Sequence, residues 1–448
     1  MQLTCACGSV IFCRQSFFGT YLLATPFWYN AALSVLKPLY RSRIKKRAES
    51  EAQYRQEIVE RFGPFQPPKN LQAIWFHVVS VGETNAAQPL IEHYLKAGHP
   101  VLVTNTTKTG QARAKSLFLK APHEALFQAV YLPADQKHLI ADFYQKYQPK
   151  LLLLMETELW PNLIDQAQNF HVPCLLLNAR LSGKSAKGYA KVSGLTRAML
   201  QGLTQLLVQD QASHSRFVAL GAVAEQTQVV GSIKFDISAP PAFIEQANML
   251  QQDWQLAGRK VITLASTHAP EEKDVLAALK PALMADPALV CIVVPRHPER
   301  FDDVFHAAQA LDLRTQRRSL GQTIEADTQV YLADSMGEMW LWYGLSQACY
   351  VGGSLNEPGG GHNILEPIAL HVPTILGKNY FNFQTIVDEF LDAQAVVVVE
   401  NAEQAAQTML EILSDSSKAL ALNTAAQKIM QQNQGSLAKH IQVIDQYL

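Results

Sequence analysis

The residues best equipped for chemistry in this 448-residue chain stand where apolar strands give way to helices. Phe76-His77-Val78-Val79-Ser80-Val81-Gly82-Glu83 ends one such strand. Glu83 follows a glycine at the turn, so its carboxylate is aimed past the strand end, where it can take a proton from a hydroxyl. A first-turn glutamate also complements a helix dipole, and Ser80 has the chemistry of an N-cap, so the residues alone leave these roles open. Met155-Glu156-Thr157-Glu158-Leu159-Trp160-Pro161-Asn162 ends another strand, with Pro161 suited to a first helical turn. One carboxylate would suffice for capping; Glu156 is expected to face the site and Glu158 to be structural. Asn178-Ala179-Arg180-Leu181-Ser182 is followed by Lys184, Lys187 and Tyr189, a set of cations and hydroxyls that suits an anionic substrate or, equally, a solvated basic loop. Lys234, in Gly231-Ser232-Ile233-Lys234-Phe235-Asp236, could offset charge on a leaving phosphate.

The second half repeats the pattern. Ser266-Thr267-His268 ends a strand and Glu271-Glu272 open the next helix. Pro295-Arg296-His297-Pro298-Glu299-Arg300 aims a guanidinium, a group suited to phosphate or carboxylate, from a rigid strand end. Asp334-Ser335-Met336-Gly337-Glu338 offers backbone amides for a base or sugar edge. Between the strand at Tyr350 and the helix after His362-Asn363-Ile364-Leu365-Glu366 lie five glycines, Gly360 and Gly361 among them. Glycine lets backbone approach a ligand closely, and a helix start offers unpaired N–H groups to an anion. Glu366, beside that seat, is better placed to accept hydrogen bonds from ribose hydroxyls. The segment has the composition of a nucleotide seat; a glycine-rich turn in an α/β core is the plain alternative.

The elements that must position these groups alternate. Apolar strand runs are expected at 73–79, 100–105, 129–132, 150–155, 173–178, 205–209 and 227–230, then at 260–265, 290–295, 329–333, 348–352, 373–376 and 395–399, with helical stretches between most of them. Continuous Val/Ile/Leu runs of this kind predict parallel sheets covered on both faces, hence two doubly wound α/β domains facing across a cleft. The predicted divisions are 1–47 (a hydrophobic anchor and its basic flank), 48–236 (acceptor side) and 237–448 (donor side, with the C-terminal helices). The absence of G-x-G-x-x-G after the first strand argues against a dinucleotide dehydrogenase. A net charge of -1 gives no electrostatic case for nucleic acid.

From Gln15 to Leu36 there is no charged residue, and Arg41, Arg43, Lys45, Lys46 and Arg47 follow. This pattern predicts attachment to a membrane with the body of the protein on the cytoplasmic side, through a single spanning helix or through one lying in the headgroup layer by Phe27, Trp28 and Tyr29. A helix packed on the globular body would also account for it. Cys174, Cys291 and Cys349 lie in apolar runs and are expected in the core; Cys5-x-Cys7 lacks a second pair at zinc spacing.

Taken together and in order, Ser80-Val81-Gly82-Glu83, Glu156-Thr157-Glu158-Leu159-Trp160-Pro161-Asn162, Asn178-Ala179-Arg180-Leu181-Ser182, Lys234-Phe235-Asp236, Ser266-Thr267-His268, Pro295-Arg296-His297-Pro298-Glu299-Arg300 and Gly360-Gly361-His362-Asn363 resemble the Kdo transferases, which attach 3-deoxy-D-manno-octulosonic acid to the lipid A precursor of Gram-negative bacteria. The resemblance implies a GT-B glycosyltransferase of lipopolysaccharide biosynthesis. It would be an inverting enzyme with CMP-Kdo as donor, lipid IVA as acceptor and no cofactor or metal, and it would work at the cytoplasmic face of the inner membrane. It further implies Glu83 as base and Glu156 and Lys234 as transition-state helpers. CMP would lie against Pro295, Arg296, Met336, Gly337, Glu338, Asn363, Ile364, Leu365 and Glu366, and Ser80, Gly82, Arg180, Ser266, Thr267, His268, Gly360 and Gly361 would make further substrate contacts. Ile364 stands where the family usually has proline, and Asn356-Glu357-Pro358 makes the glycine loop unusual. A sugar-nucleotide epimerase and a tethered nucleotide sensor are the competing readings.

Overall fold

A computed structural model describes residues 25–448, apart from the side chain of Thr385. Two compact units emerge: one runs up to Val230 and includes His440–Leu448, the other is Gly231–Lys439. The first holds seven strands, β1 (Ile74–His77), β2 (Val101–Asn105), β3 (Phe127–Tyr131), β4 (Leu151–Met155), β5 (Cys174–Ala179), β6 (Gln205–Val208) and β7 (Thr227–Val229). They are ordered β3-β2-β1-β4-β5-β6-β7, all parallel. The second holds β8 (Lys260–Thr267), β9 (Leu289–Pro295), β10 (Thr315–Arg317), β11 (Val330–Leu332), β12 (Ala348–Val351), β13 (Thr374–Gly377) and β14 (Val397–Val399). Their order is β10-β11-β9-β8-β12-β13-β14, again all parallel.

The central strands are buried end to end, as the Leu-rich run of β4 and the Val/Ile run of β9 require in a sheet covered on both faces. Trp75, Leu152, Leu154 and Leu176 join one core; Ile262, Leu264, Cys291 and Val293 join another. Cys174, Cys291 and Cys349 are free and buried, as expected. Cys5 and Cys7 lie outside the described residues. The polar edge strand β10 had no apolar run to announce it.

In both sheets the winding reverses beside the first strand: between β1 and β4, and between β8 and β12. Such reversals splay the loops above the carboxyl ends of the strands and leave a crevice there. Glu83 follows β1 and Glu156 follows β4; His268 follows β8 and the glycine loop follows β12.

Two divisions differ from the sequence-based ones. Lys234 and Asp236 belong to the second unit, not the first. Gly231, at φ +87°, lies so close to Asn433 that a Cβ would meet its Cα at 3.2 Å, and Ser232 N–H donates to Asn433 Oδ1 at 2.7 Å. Asp236 accepts from Gly435 and Leu437 N–H at 3.2 and 2.7 Å, capping the helix Ser436–Ile444. The chain then returns to the first unit at His440, where Asp445 accepts from Tyr94 Oη at 2.9 Å.

Part of the proposed anchor, residues 15–24, lies outside the described residues. Helix α1 (Phe27–Arg47) contains the basic cluster and Pro38. No helix among the described residues is long and apolar enough to cross a membrane. Instead α1 is fastened to the first unit: Tyr29 Oη donates to Asp135 at 2.8 Å, Asn162 Nδ2 donates to Asn30 Oδ1 at 3.0 Å, and Arg41 lies over the Phe62 ring. Its other face leaves Phe27, Trp28, Val35, Leu36 and Leu39 exposed. Helix α2 (Glu51–Phe62) follows and buries Arg61, whose guanidinium meets Glu57 at 2.8 Å and the Thr106 carbonyl at 2.7 Å.

Candidate active site

Helix α3 (Val81–Lys96) begins at an N-cap, Ser80, whose hydroxyl accepts from Glu83 N–H. Glu83 turns back and accepts from Val79 N–H at 2.8 Å and from the Ser80 hydroxyl at 3.2 Å, so the N-cap and the carboxylate bond each other. The cap and the candidate base are therefore one assembly, not rivals. Glu83 is only 9% exposed. Burial raises its pKa to about 8, the charges of Glu158 and Glu156 push the same way, and the bond from Val79 N–H opposes them. A carboxyl poised there is a strong base for a hydroxyl near neutral pH.

Glu156 takes the left-handed conformation, φ +56°, immediately after β4, while its N–H still pairs with Leu177 O at 2.9 Å. A non-glycine residue in that region is strained, and strain of this kind marks a side chain aimed by its surroundings. Glu158, expected to be structural, belongs to the same carboxylate group. Trp160 Nε1 donates to it at 2.9 Å, and His77 Nε2 lies 3.9 Å from it. Burial lowers the His77 pKa to about 3, so this contact is not an ion pair and leaves the Glu158 charge uncancelled. Burial, with Glu156, raises the Glu158 carboxyl above its ordinary range against the pull of Trp160. The signal for this role was the Glu-x-Glu spacing itself.

Arg180, Lys184 and Lys187 are exposed beyond β5, the two lysines on the helix Gly183–Ala190 capped by Ser182. Tyr189 ties that helix to the carboxylate loop by donating to Thr157 O at 3.3 Å. Pro161 opens its helix as expected, and Asp135 holds the helix start through Asn162 and Leu163 N–H at 3.1 and 2.9 Å. Lys234 sits in a short 3-10 turn of the second unit.

In the second unit the loop after β12 is held by one carboxylate that the sequence did not single out for this role. Glu271, 2% exposed, accepts from Gly353, Ser354 and Leu355 N–H, from His268 N–H and from Tyr350 Oη, all at 2.7–2.9 Å. Gly352 and Gly353 are glycines of necessity, since Cβ atoms there would meet Thr267 Cα at 2.7 Å and His362 Nε2 at 2.8 Å. Ser266 sits at a register break of β8 with φ +52°. Arg296 N–H pairs with Thr267 O at 3.0 Å, while its exposed guanidinium makes no hydrogen bond among the described residues. Gly360 and Gly361 carry positive φ. Asn363 Oδ1 accepts from Leu365 N–H at 3.1 Å and its Nδ2 donates to Glu366 at 3.2 Å, which fixes the half-buried Glu366 at the start of the helix Leu365–Ala369. Ile364 is fully buried. Met336 is exposed and Gly337 takes φ +83°. Glu338 is held by Arg318 at 2.9 Å and by Ser335, bonds that outweigh burial and lower its pKa.

The sequence model of the 3-Deoxy-D-manno-octulosonic-acid transferase (kdotransferase) family matches residues 56–237. A 3-deoxy-D-manno-octulosonic acid transferase of Haemophilus influenzae is 35% identical over 430 residues, covering 94% of this chain and 98% of that protein. One from Bordetella pertussis is 34% identical over 429 residues, covering 94% and 99%. The C-terminal CMP-Kdo binding domain of WaaA from Acinetobacter baumannii, solved as a crystal structure, is 60% identical and covers 43% of this chain and 100% of that domain, with a TM-score of 0.43. Two parallel-sheet α/β units, matched nearly end to end by sugar transferases, make this chain a glycosyltransferase. It belongs to the 3-deoxy-D-manno-octulosonic acid transferase family and transfers Kdo in lipopolysaccharide core biosynthesis.

Proposed function

We propose that the protein is an inverting, GT-B-type transferase that moves Kdo from CMP-Kdo to a hydroxyl of lipid IVA. The observation that carries this reading is Glu83, held at the winding reversal of the first sheet with its pKa raised to about 8 among Glu156 and Glu158. Glu83 takes the acceptor proton as the oxygen attacks the anomeric carbon, the bond to the phosphate oxygen breaks, and CMP departs. Glu156 and Lys234 stabilise charge in that transition state, and Arg296 offsets the charge that grows on the phosphate. CMP lies along Pro295, Met336, Gly337, Glu338 and the 363–366 segment, where Glu366 accepts from ribose hydroxyls. Ser266, Thr267, His268, Gly360 and Gly361 contact the donor, and Ser80, Gly82 and Arg180 the acceptor.

The acceptor reading is supported by α1. Its exposed apolar side chains share the helix with the exposed Arg43, Lys45 and Lys46, the mixture that suits an anionic bilayer surface. A cavity of about 440 Å³ beside α1 is lined by Leu33, Leu36, Leu39, Phe62 and Trp160, with Lys37 and Arg43 also in its wall. The protein accordingly works at the cytoplasmic face of the inner membrane, with α1 lying on the bilayer. Incubation with CMP-Kdo and lipid IVA, followed by mass spectrometry and NMR of the new linkage, tests the proposal. A product lengthened by Kdo with inverted anomeric configuration is expected; release of free Kdo alone would overturn it.

A further inference from the structure

His268 and His362 face each other at the winding reversal of the second sheet, Nε2 to Nε2 at 2.9 Å, with their rings nearly parallel. They come from different elements, the end of β8 and the end of the glycine loop, and Gly353 lacks the Cβ that would push the His362 ring away. Two neutral imidazoles at this distance share one proton between the Nε2 atoms. Such a pair accepts one further proton, on the outer Nδ1 of the donating ring, which turns the shared bond into a charge-assisted one. A second further proton would place two cations against each other.

The groups around the pair keep it neutral while nothing is bound. His297 packs edge-on against His268 with centroids 4.9 Å apart, and Arg296 is the neighbouring cation. Glu271 is saturated by its five donors, Glu272 is paired with Arg300 at 2.6 Å, and Glu299 lies 3.6 Å from His297. Burial, then the charges of His268 and Arg296, bring the His362 pKa down to about 4. Burial also lowers that of His268, with Glu271 opposing. The hydroxyl of the fully buried Thr267 has no partner among the described residues. The balance is reversed by an anion: it cancels the field of Arg296 and rewards a cation opposite.

We infer that His268 and His362 form, with Arg296, the seat for the phosphate of the donor, and that the pair takes up one proton as that phosphate binds. The inference rests on the donor assignment above and names the chemistry of its anion site. During transfer the departing phosphate gains a negative charge as the glycosidic oxygen leaves, and the proton already on the pair faces it.

The test is calorimetric titration of the full chain with CMP at pH 7.5, in buffers of different ionisation enthalpy, with cytidine as the uncharged probe. Wild type should take up close to one proton per CMP bound. In His362→Asn the uptake should vanish and CMP affinity fall about tenfold, the order of one charge-assisted hydrogen bond, while cytidine affinity stays within twofold. His268→Asn carries the same expectation should His362→Asn not fold. Uptake unchanged in a folded variant would overturn the inference alone. Failure of wild type to bind both CMP and cytidine would overturn the donor assignment and the inference with it. Equal weakening of CMP and cytidine would reduce the histidines to loop support and overturn the anion seat. A loss seen with CMP-Kdo but not with CMP in the two variants would place the sugar carboxylate there and overturn the phosphate seat.

Discussion

The crevice above β1 and β4 and the crevice above β8 and β12 hold the same place in two sheets wound alike, and they are furnished with opposite chemistry. The first gathers Glu83, Glu156 and Glu158, where burial, and after it the charges of Glu158 and Glu156, drive the Glu83 carboxyl pKa up to about 8. The second gathers His268 and His362 beside His297 and Arg296, and burial with the neighbouring charges lowers the pKa values of His268 and His362. Glu83 and Glu158 are thereby disfavoured as anions, and His268 and His362 as cations. The winding supplies a crevice; the residues at the strand ends decide whether it prefers to surrender a negative charge or to receive one. A base for a hydroxyl needs the former, and a seat for a sugar phosphate needs the latter.

If that contrast is right, Glu83→Gln should lower transfer by about 10²–10⁴-fold, the range of a positioned general base. CMP affinity, measured calorimetrically, should not change. Loss of CMP binding in this variant would merge the two sites' roles and break the comparison. Arg296→Ala should do the reverse, weakening CMP by about 10–100-fold, as expected for loss of a charged hydrogen-bond donor. The alkaline shape of the transfer profile should stay the same.

The pH profile sharpens the contrast. If Glu83 is the base, only its ionised form acts, so kcat/KM under donor saturation should rise about tenfold per pH unit toward a pKa of about 8 and level off above it. Glu158→Gln removes a charge that raises this pKa, so the rising limb should move to lower pH. An unmoved limb would detach Glu158 from the base.

The smallest effect concerns stability. The Glu83 carboxyl ionises near 4.5 when unfolded and at about 8 when folded. The folded state therefore binds the proton more tightly, and stability is lost as pH rises from the first value through the second. Glu83→Gln should match wild type below pH 4 and melt higher above pH 8, by about 2–4 °C for each kcal/mol recovered.

Much of the fold could be read from the chain because buried parallel strands leave continuous apolar runs. Thirteen runs were expected and fourteen strands formed among the described residues; the extra one, β10, is a three-residue polar edge whose pairing with β11 no pattern could announce. The placement of Glu83, Glu156 and Arg296 just past their strand ends was legible, because the strands before them are apolar runs. The site was not legible where a group acts through distant partners. Glu271 is an ordinary first-turn glutamate until the loop more than eighty residues later folds onto it. Asp236 belongs to the second unit because its carboxylate caps a helix some two hundred residues away.

The sequence by itself determined two wound sheets, their strand ends and the side chains displayed there, because periodicity and glycine placement are local properties. Only tertiary structure decided that Glu158 joins Glu83, that one carboxylate holds the start of the glycine loop, and that two histidines ninety-four positions apart share a proton. Electrostatic coupling and burial depend on separation in space, and separation along the chain does not set them.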